Sequence, residues 1–558
     1  MISHKTSISL LIIIILILIN TIGGYYFFRI DMTQEKKYSL SKETKELLNN
    51  LEDIIYLKIY LHGEIPIEYK KLENEIKYMV NEFRAYSKFI EYEFIDPNAI
   101  QNDEYRVNLQ EQLYKKGIYP VPIRNYDKTK MEQFLIFPGI IASHISKETT
   151  ISLINQSMMH NQPEIINESI EQLEYLLTNG IRTLQRIKKP KIGLINGHGE
   201  TTNELITSFK DKISEHYELI DIEINEQLTA LKNFDCIIIN DPKQKFSEKD
   251  KFIIDQFIMH GGKSIWITNG NNANMDSLEK KSETIILSKE NRNLDDLLFK
   301  YGVRINLDLV QDIQATPIPV ITHYIDNKPQ WDFFPWFFFP VLTPHLEHVV
   351  TNHINPVQTK FPSSIDTIKN NVDKTVLLQT SPYTKISSTP AVINLENLKN
   401  KADINTFNSG TKNIAVLLSG EFASVYANRI NPIIGTNTDI NFKNKSIQNK
   451  MIIISDSYFI KNQFFQGQPM PLGLDKHTGT QYGNGEFILN SIDYLLDNSQ
   501  FIKIRSKNRT IRILNAKKLD NETSWWQIIN LILPLIILIL SGIIIFIIRK
   551  HKYAKLFT

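Results

Sequence analysis

The sequence predicts an α/β protein: a thioredoxin-like domain followed by a flavodoxin- or Rossmann-like parallel-sheet domain, the pair flanked by two transmembrane helices. Three observations carry that expectation. Long apolar runs stand near both ends of the chain. Between about 31 and 160 the apolar patterning alternates strand, helix, strand, helix, hairpin. From Lys191 onward, short β-branched runs alternate with helical patterns, which implies parallel strands with helices on both faces.

The terminal runs come first. Ser7 to Phe28 is almost wholly apolar around LLIIIILILI, and at 1.5 Å per residue it reaches roughly 33 Å, enough for a hydrocarbon core of about 30 Å. Its length exceeds the apolar part of a cleavable leader, so residues 1–30 are expected to be a retained anchor. The second run places Trp525-Trp526 before an uncharged stretch from Ile528 to Ile548, with Arg549-Lys550-His551-Lys552 after it. Interfacial aromatics, span and basic anchor follow in the order a membrane helix takes, over 525–548. The basic tail 549–558 and Lys5 place both termini in the cytoplasm and the central region outside, in the periplasm, despite Arg29, Lys36 and Lys37 beyond the first span.

Within 31–160, Ser41 is a helix cap candidate and IIYLKIYL (54–61) a strand. Leu72, Ile76, Met79, Val80 and Phe83 recur at helical spacing between Pro66 and Tyr86. IEYEFIDP (90–97) alternates as a strand, 106–116 reads as a helix, and 131–144 as two strands around Pro138-Gly139, with ETTISLI following. This is the thioredoxin-like order. The position of the redox cysteine pair reads HGEIP (62–66), so the redox chemistry is absent. Pro163 to Lys189 forms a connecting helix (161–189), with Ile166, Ile170, Leu173, Leu176 and Leu177 on one face, ended by Pro190.

The region 190–515 carries the flavodoxin-like pattern. KIGLI, ELIDIEI (218–224), FDCIIINDP (234–242) and KSIWIT are strands; 203–216 and 247–260 are helices, the second capped by Ser247. Residues 270–295 are polar and read as a loop or flap. A helical stretch follows at 294–301. KTVLLQTS (374–381), KNIAVLLSG (412–420) and KMIIISDS (450–457) read as strands, and 483–497 as a turn and helix. The aromatic stretch WDFFPWFFFPVL (331–342) is either an exposed partner patch or a plug between domains.

Composition narrows the function. Apolar residues at 42% and charged residues at 22% suit globular domains rather than disorder. Lys+Arg 63 against Asp+Glu 61, with no basic run between the ends, argues against nucleic acid as a partner. The single cysteine, Cys236, sits mid-strand between apolar neighbours, as a core residue rather than a nucleophile. The candidate binding residues are Gly197, His198, Gly199, Glu200, Asp241 and Asp456, all where strands end and where open α/β sheets gather ligands. Gly197-His198-Gly199-Glu200 is not a phosphate-binding GxGxxG or P-loop. It shapes a turn with Glu200, Thr201 and Thr202 as caps, or touches a ligand or partner, or carries catalysis; Asp241 and Asp456 are caps or members of one convergent edge. No HExxH or clustered Cys/His pattern supports a metal, and His345, His348 and His353 have loop-like spacing. No catalytic residue and no cofactor is assigned.

RIDMTQEKKYSLSKET after the first span, KIGLINGHGE, IIINDP, GGKSIWI, GNGEFILNSIDYLL and IRSKNRTIRIL before the last span together resemble the GldG family. These are gliding-associated auxiliary components of ABC transporters in Bacteroidota. The resemblance implies an inner-membrane protein with a large periplasmic part, partnered by an ABC ATPase and a permease and linked to gliding motility or cell-envelope export. It also implies a central α/β domain like one of intraflagellar-transport proteins, and no catalytic residues to carry over. ATP hydrolysis then belongs to another chain, because no Walker motif is present. The chain is expected not to be an enzyme and to bind a substrate or envelope partner; a homodimer stays open. The rivals are an envelope hydrolase or amidotransferase-like enzyme using His198, Glu200 and Asp241, and a scaffold without a small ligand.

Overall fold

The computed structural model describes residues 14–15, 39–127, 130–154, 162–186, 188–289, 292–326, 328–344, 348–399, 403–429, 432, 441–497, 504 and 516–554. The predicted first span lies outside these residues apart from Ile14 and Ile15, which are helical. The chain divides into two units, Met1–Asn508 and Arg509–Thr558.

The first layer of the larger unit opens with helix α1 (Lys42–Asn49), whose start is fixed by the Ser41 hydroxyl accepting from the Thr44 amide. Strand β1 (Ile55–Ile59), helix α2 (Ile67–Tyr86), strand β2 (Ile90–Phe94) and helix α3 (Asp103–Lys115) follow. A hairpin of β3 (Val121–Asp127) and β4 (Lys130–Ile136) leads to β5 (Gly139–His144), β6 (Lys147–Ser152) and helix α4 (Gln162–Gln185). The sheet order is β2-β1-β5-β6, with β1 and β2 parallel and the rest antiparallel. The sequence reading missed β3, which pairs only with β4 and builds no part of that sheet.

Helix α4 does more than connect. Ile166, Ile170, Leu173, Leu177 and Ile181 are buried in the same core as β1 and α2. Fully burying each such side chain is worth about 1.5–3 kcal/mol. Glu174 on this helix accepts from the Ser41 amide and the Thr44 hydroxyl, tying α1 to it.

The second layer begins with β7 (Lys191–Asn196), a 3-10 turn (Asn203–Ile206) and α5 (Thr207–Ser214). Then come β8 (Glu218–Glu223), β9 (Cys236–Asn240), α6 (Glu248–Met259) and β10 (Lys263–Ile267). The stretch expected to be a loop or flap instead forms α7 (Met275–Lys281) and β11 (Glu283–Ile286). Helix α8 (Asp295–Tyr301) and strands β12 (Val303–Ile305), β13 (Asp308–Asp312), β14 (Ala315–Ile325), β15 (Lys328–Leu342), β16 (Val357–Gln358), β17 (Ile365–Thr367) and β18 (Asp373–Gln379) follow. The layer closes with β19 (Thr384–Ser388), β20 (Ala391–Asn394), β21 (Asn413–Gly420), β22 (Asn449–Ile454) and α9 (Asn484–Leu496).

Five strands are parallel, in the order β8-β7-β9-β10-β22. Beyond β22 the sheet turns antiparallel through β21, β17 and β12, with β18 also on β21. The expected parallel sheet is thus extended by an antiparallel part. Alternation along the strands explains the two-sided burial. Ile192, Leu194, Cys236, Ile238, Ile265 and Ile452 pack with Phe209 and Ile213 of α5 and Phe487, Ile488 and Ile492 of α9. Ile237, Ile239, Trp266 and Ile453 pack with Phe252, Ile254 and Ile258 of α6 and Leu297 and Leu298 of α8. The two layers meet where Arg182 of α4 reaches Asp493 of α9 at 3.3 Å and the neighbouring Asp497 at 3.4 Å.

The aromatic stretch is buried in part and exposed in part, and its buried part packs within the second layer rather than between domains. Strands β14 and β15 form a long hairpin that turns at Asp326. Near its base Trp336 and Phe339 are buried with Ile318 and Phe361. Toward its tip Tyr324, Ile325, Trp331 and Phe333 are exposed.

In the second unit, helix α10 (Ala516–Ala554) contains an apolar segment, Trp525–His551, of 27 residues. At 1.5 Å per residue it is about 40 Å long, enough by length and composition to cross a bilayer.

Candidate functional site

The loop after β7 is built from two glycines in the left-handed region, Gly197 at φ 105° and Gly199 at φ 73°. Side chains there would be strained, so the pair sets the turn that folds His198 inward. His198 is 7% exposed and its ring stacks on Phe246 at 3.7 Å. Both ring nitrogens face carboxylates: Nδ1 lies 3.4 Å from Glu200 and Nε2 3.3 Å from Asp250. Burial pulls the His198 pKa down, but the carboxylates of Glu200 and then Asp250 outweigh it, and the net shift is upward. Nδ1 and Glu200 Oε1 lack hydrogen-bond geometry despite their ion-pair distance. The contact there is electrostatic.

The backbone completes the clamp. The His198 amide donates to Glu200 Oε2 at 2.6 Å, and its carbonyl accepts from the amides of Lys243 and Gln244 at 2.9 and 2.7 Å. Asp250 also accepts from the Glu226 amide at 2.8 Å, so the loops after β7, β8 and β9 are joined. Glu200 is spent on its own loop and does not cap the following turn, where Thr202 makes no side-chain cap bond either. These contacts bridge the loops beside the crevice between β7 and β9, where strand order reverses and ligands ordinarily enter.

Asp241 and Asp456 end β9 and β22 but do not cap helices. Asp241, buried and at φ 51°, accepts from Lys289 at 2.6 Å and from Lys461 at 3.1 Å. Burial raises its pKa; the two ammonium groups more than reverse that and hold it below the ordinary value. Lys289 is pushed down to about 8, chiefly by burial and against the pull of Asp241. Asp456 accepts from the amides of Lys360 and Tyr458 at 3.0 and 2.7 Å, and burial pushes it up to about 7. The predicted residues therefore share the carboxyl edge of the sheet but form separate clusters. Lys461, which follows β22, bridges back to Asp241 on β9. Sequence reading missed Asp250, Lys289, Lys461 and Arg292; the polar stretch that holds Lys289 and Arg292 was the only signal.

Other candidates resolve simply. Cys236 is fully buried and burial drives its thiol pKa upward, leaving it unreactive. His345 lies outside the described residues. His348 accepts from the Val350 amide at 3.2 Å and is pushed down to about 4 by burial, then by Lys450. His353 lies 3.7 Å from Glu171. Where a redox cysteine pair would follow β1, His62 contacts Glu73 at 2.6 Å. A cavity of about 580 Å³ lined by Asp296, Phe299, Arg304 and Arg429 contains none of the predicted residues.

A family profile described as an ABC-type uncharacterized transport system matches residues 189–491, more than half the chain. The chain belongs to this ABC-transport auxiliary family. The match spans the second layer and with it the whole carboxyl edge. A domain of unknown function matches residues 34–143, a range that includes β1 to β4 and most of β5 of the first layer. An uncharacterized protein of Borreliella burgdorferi is 23% identical over 542 residues, covering 94% of each chain. Among solved structures, the mmIFT52 N-terminal domain is similar at 13% identity and TM-score 0.31, over 55% of this chain and 96% of that one. A ThuA-like protein from Parabacteroides merdae is similar at 9% identity and TM-score 0.23, over 54% and 99%.

Proposed function

We propose that this member of the ABC-transport auxiliary family is a non-enzymatic, GldG-type membrane subunit. In this reading residues 39–186 are a thioredoxin-like layer stripped of redox chemistry, and the domain after Pro190 is flavodoxin-like. The strand orders β2-β1-β5-β6 and β8-β7-β9-β10-β22 support those assignments. Two spans anchor the chain in the inner membrane with both termini cytoplasmic, and both layers lie in the periplasm. The spans dock on a permease, whose partner ATPase supplies hydrolysis. The carboxyl edge and the exposed hairpin tip receive a substrate or envelope partner, in gliding motility or envelope export.

The observation that carries the non-enzymatic reading is the state of His198. A general base needs an accessible nitrogen near a substrate proton. Both nitrogens here face carboxylates, and the ring is stacked on Phe246. The histidine therefore acts as a bolt between loops. The two carboxylate contacts and the stack on Phe246 favour this role over an envelope hydrolase built on His198, Glu200 and Asp241.

The test exchanges Trp525–His551 for an unrelated membrane span. Membrane anchoring is retained while association with the permease is lost. Unchanged association with the permease overturns the docking role. Protease shaving of sealed inner-membrane vesicles and of spheroplasts reports placement: cleavage of the two layers in spheroplasts is expected, and cleavage only from the cytoplasmic side contradicts it.

A further inference from the structure

The hairpin of β14 and β15 has two unlike faces. Residues paired across an antiparallel ribbon point to the same side. One side carries Pro319 opposite Phe333, Ile321 opposite Trp331 and Tyr324 opposite Pro329. The pair Pro317 and Pro335 continues it toward the base, and no residue on this side is charged. On the other side Ile318 and Val320 pack with Trp336 on the core beneath. Toward the tip that side turns polar, with Asp332 and the pair His323 and Gln330. Thr322, unpaired at a register shift, donates to Asp332 at 2.7 Å. The core thus covers the second side at its base, while the apolar side is left open. Tyr324, Trp331 and Phe333 are 66%, 54% and 52% exposed.

Edge, area and composition decide what covers this side. Addition of a further strand is disfavoured, because Pro317, Pro319, Pro329 and Pro335 have no N–H to give it. At 150–250 Å² per aromatic side chain, the three exposed rings present roughly 250–450 Å². The smaller prolines and the half-buried Ile321 add less than that. A stable protein–protein contact takes about 800 Å² from each partner, so a second copy stacked here falls short. A bilayer sets no such threshold. Trp and Tyr favour the lipid–water interface, where their apolar body and polar tip are both satisfied. An amphipathic element lies in that plane with its apolar side sunk about 5–10 Å. The bilayer is also at hand, because the same chain carries the apolar helix Trp525–His551, headed by two tryptophans. Tethering raises the effective concentration of such a surface. Asp326 and Asp332 outnumber Lys328 around the tip, so attraction to acidic headgroups is not the driving force.

We propose that the apolar side of the β14–β15 hairpin, through Tyr324, Trp331 and Phe333, lies on the lipid bilayer that holds the C-terminal span. This names the partner of the hairpin tip in the reading above and rests on the membrane anchoring in that reading. The full chain is reconstituted in phosphatidylcholine nanodiscs with a fluorescent maleimide on W331C, F333C, Q330C or D332C. Cys236 is fully buried, so native labelling goes to the introduced cysteine. Spin-labelled lipid is expected to quench the labels at 331 and 333 at least ~3-fold more than those at 330 and 332, the period of two that a strand lying flat imposes. The contrast is expected to persist at high salt and without acidic lipid. If a label unsettles the hairpin, W331F in the unlabelled chain keeps the readout. It removes a ring that brominated lipid quenches, so the quenched share of tryptophan emission falls.

Equal quenching at all four positions, or none at 331 and 333, overturns the proposal. So does a contrast that appears only with acidic lipid. Shielding of 331 and 333 from aqueous iodide without quenching by lipid also overturns it, because a protein, whether a second copy or the permease, then covers the face. Association with the permease is measured on W331S/F333S. Lost lipid contact with assembly intact bears on the hairpin alone, whereas a natural chain that does not enter nanodiscs bears on the membrane reading.

Discussion

Replacing His198 by alanine separates a structural bolt from a catalytic histidine. The substitution leaves the Glu200 and Asp250 side chains, 4% and 9% exposed, facing one void with no cation between them. Removing one partner of a buried charged group costs about 3–5 kcal/mol. The stack on Phe246 adds about 0.5–1.5 kcal/mol. For a cooperative unit of this size roughly 2 °C accompanies each kcal/mol, so H198A is expected to melt about 7–13 °C lower at pH 6. The pH dependence has a definite sign. The folded pKa of His198 is raised, with Glu200 and Asp250 prevailing over burial. Its ionic contribution is then complete below the unfolded value of about 6.5 and fades as pH climbs through the raised folded value. Melting of the natural chain and H198A, followed by intrinsic fluorescence between pH 5.5 and 9, should show the widest gap at the acid end. A gap under about 1 °C at pH 6, or one that widens with pH, would refute the clamp.

The aromatic hairpin should divide by position. W336A and F339A at its buried base cost about 3–5 kcal/mol in chemical denaturation, whereas W336F, which keeps a smaller aromatic ring and removes an N–H without a partner among the described residues, costs under about 1.5 kcal/mol. W331S and F333S at the exposed tip shift stability by no more than about 0.5 kcal/mol and instead reduce recovery of the envelope partner; a large stability loss would mean the tip is core. Cys236 should resist maleimide in the native protein and label only after denaturation; rapid native labelling would place it at an accessible surface. R182M should cost about 3 kcal/mol by removing the cation that faces Asp493 and Asp497, read as earlier proteolysis at the junction of the two layers; unchanged proteolysis would show that the ion pairs do not hold it.

The sequence displayed its fold wherever pattern and burial agree. The runs at β7, β9 and β10 are apolar on both faces because helices cover both, and Ser247 caps α6 by accepting from the Asp250 amide. The stretch 270–295 misled because β11 pairs with β20 near the surface, so its exposed Ile285 carries no core periodicity. The antiparallel strands beyond β22 look in sequence like those before it, since direction leaves no mark on composition. At the site, the Gly197-His198-Gly199-Glu200 turn was legible because two left-handed positions require glycine. Its partners were not. Asp250 lies 52 residues from His198, and Lys461 lies 220 from Asp241, distances that only the sheet order closes.

The most direct measurement is the composition of the particle that carries this chain when it is drawn from native membranes in mild detergent. Membership of a transport assembly predicts a complex well above 64.8 kDa that contains a permease and a Walker-motif ATPase. A monodisperse particle holding this chain alone, from cells that express all three, would contradict it.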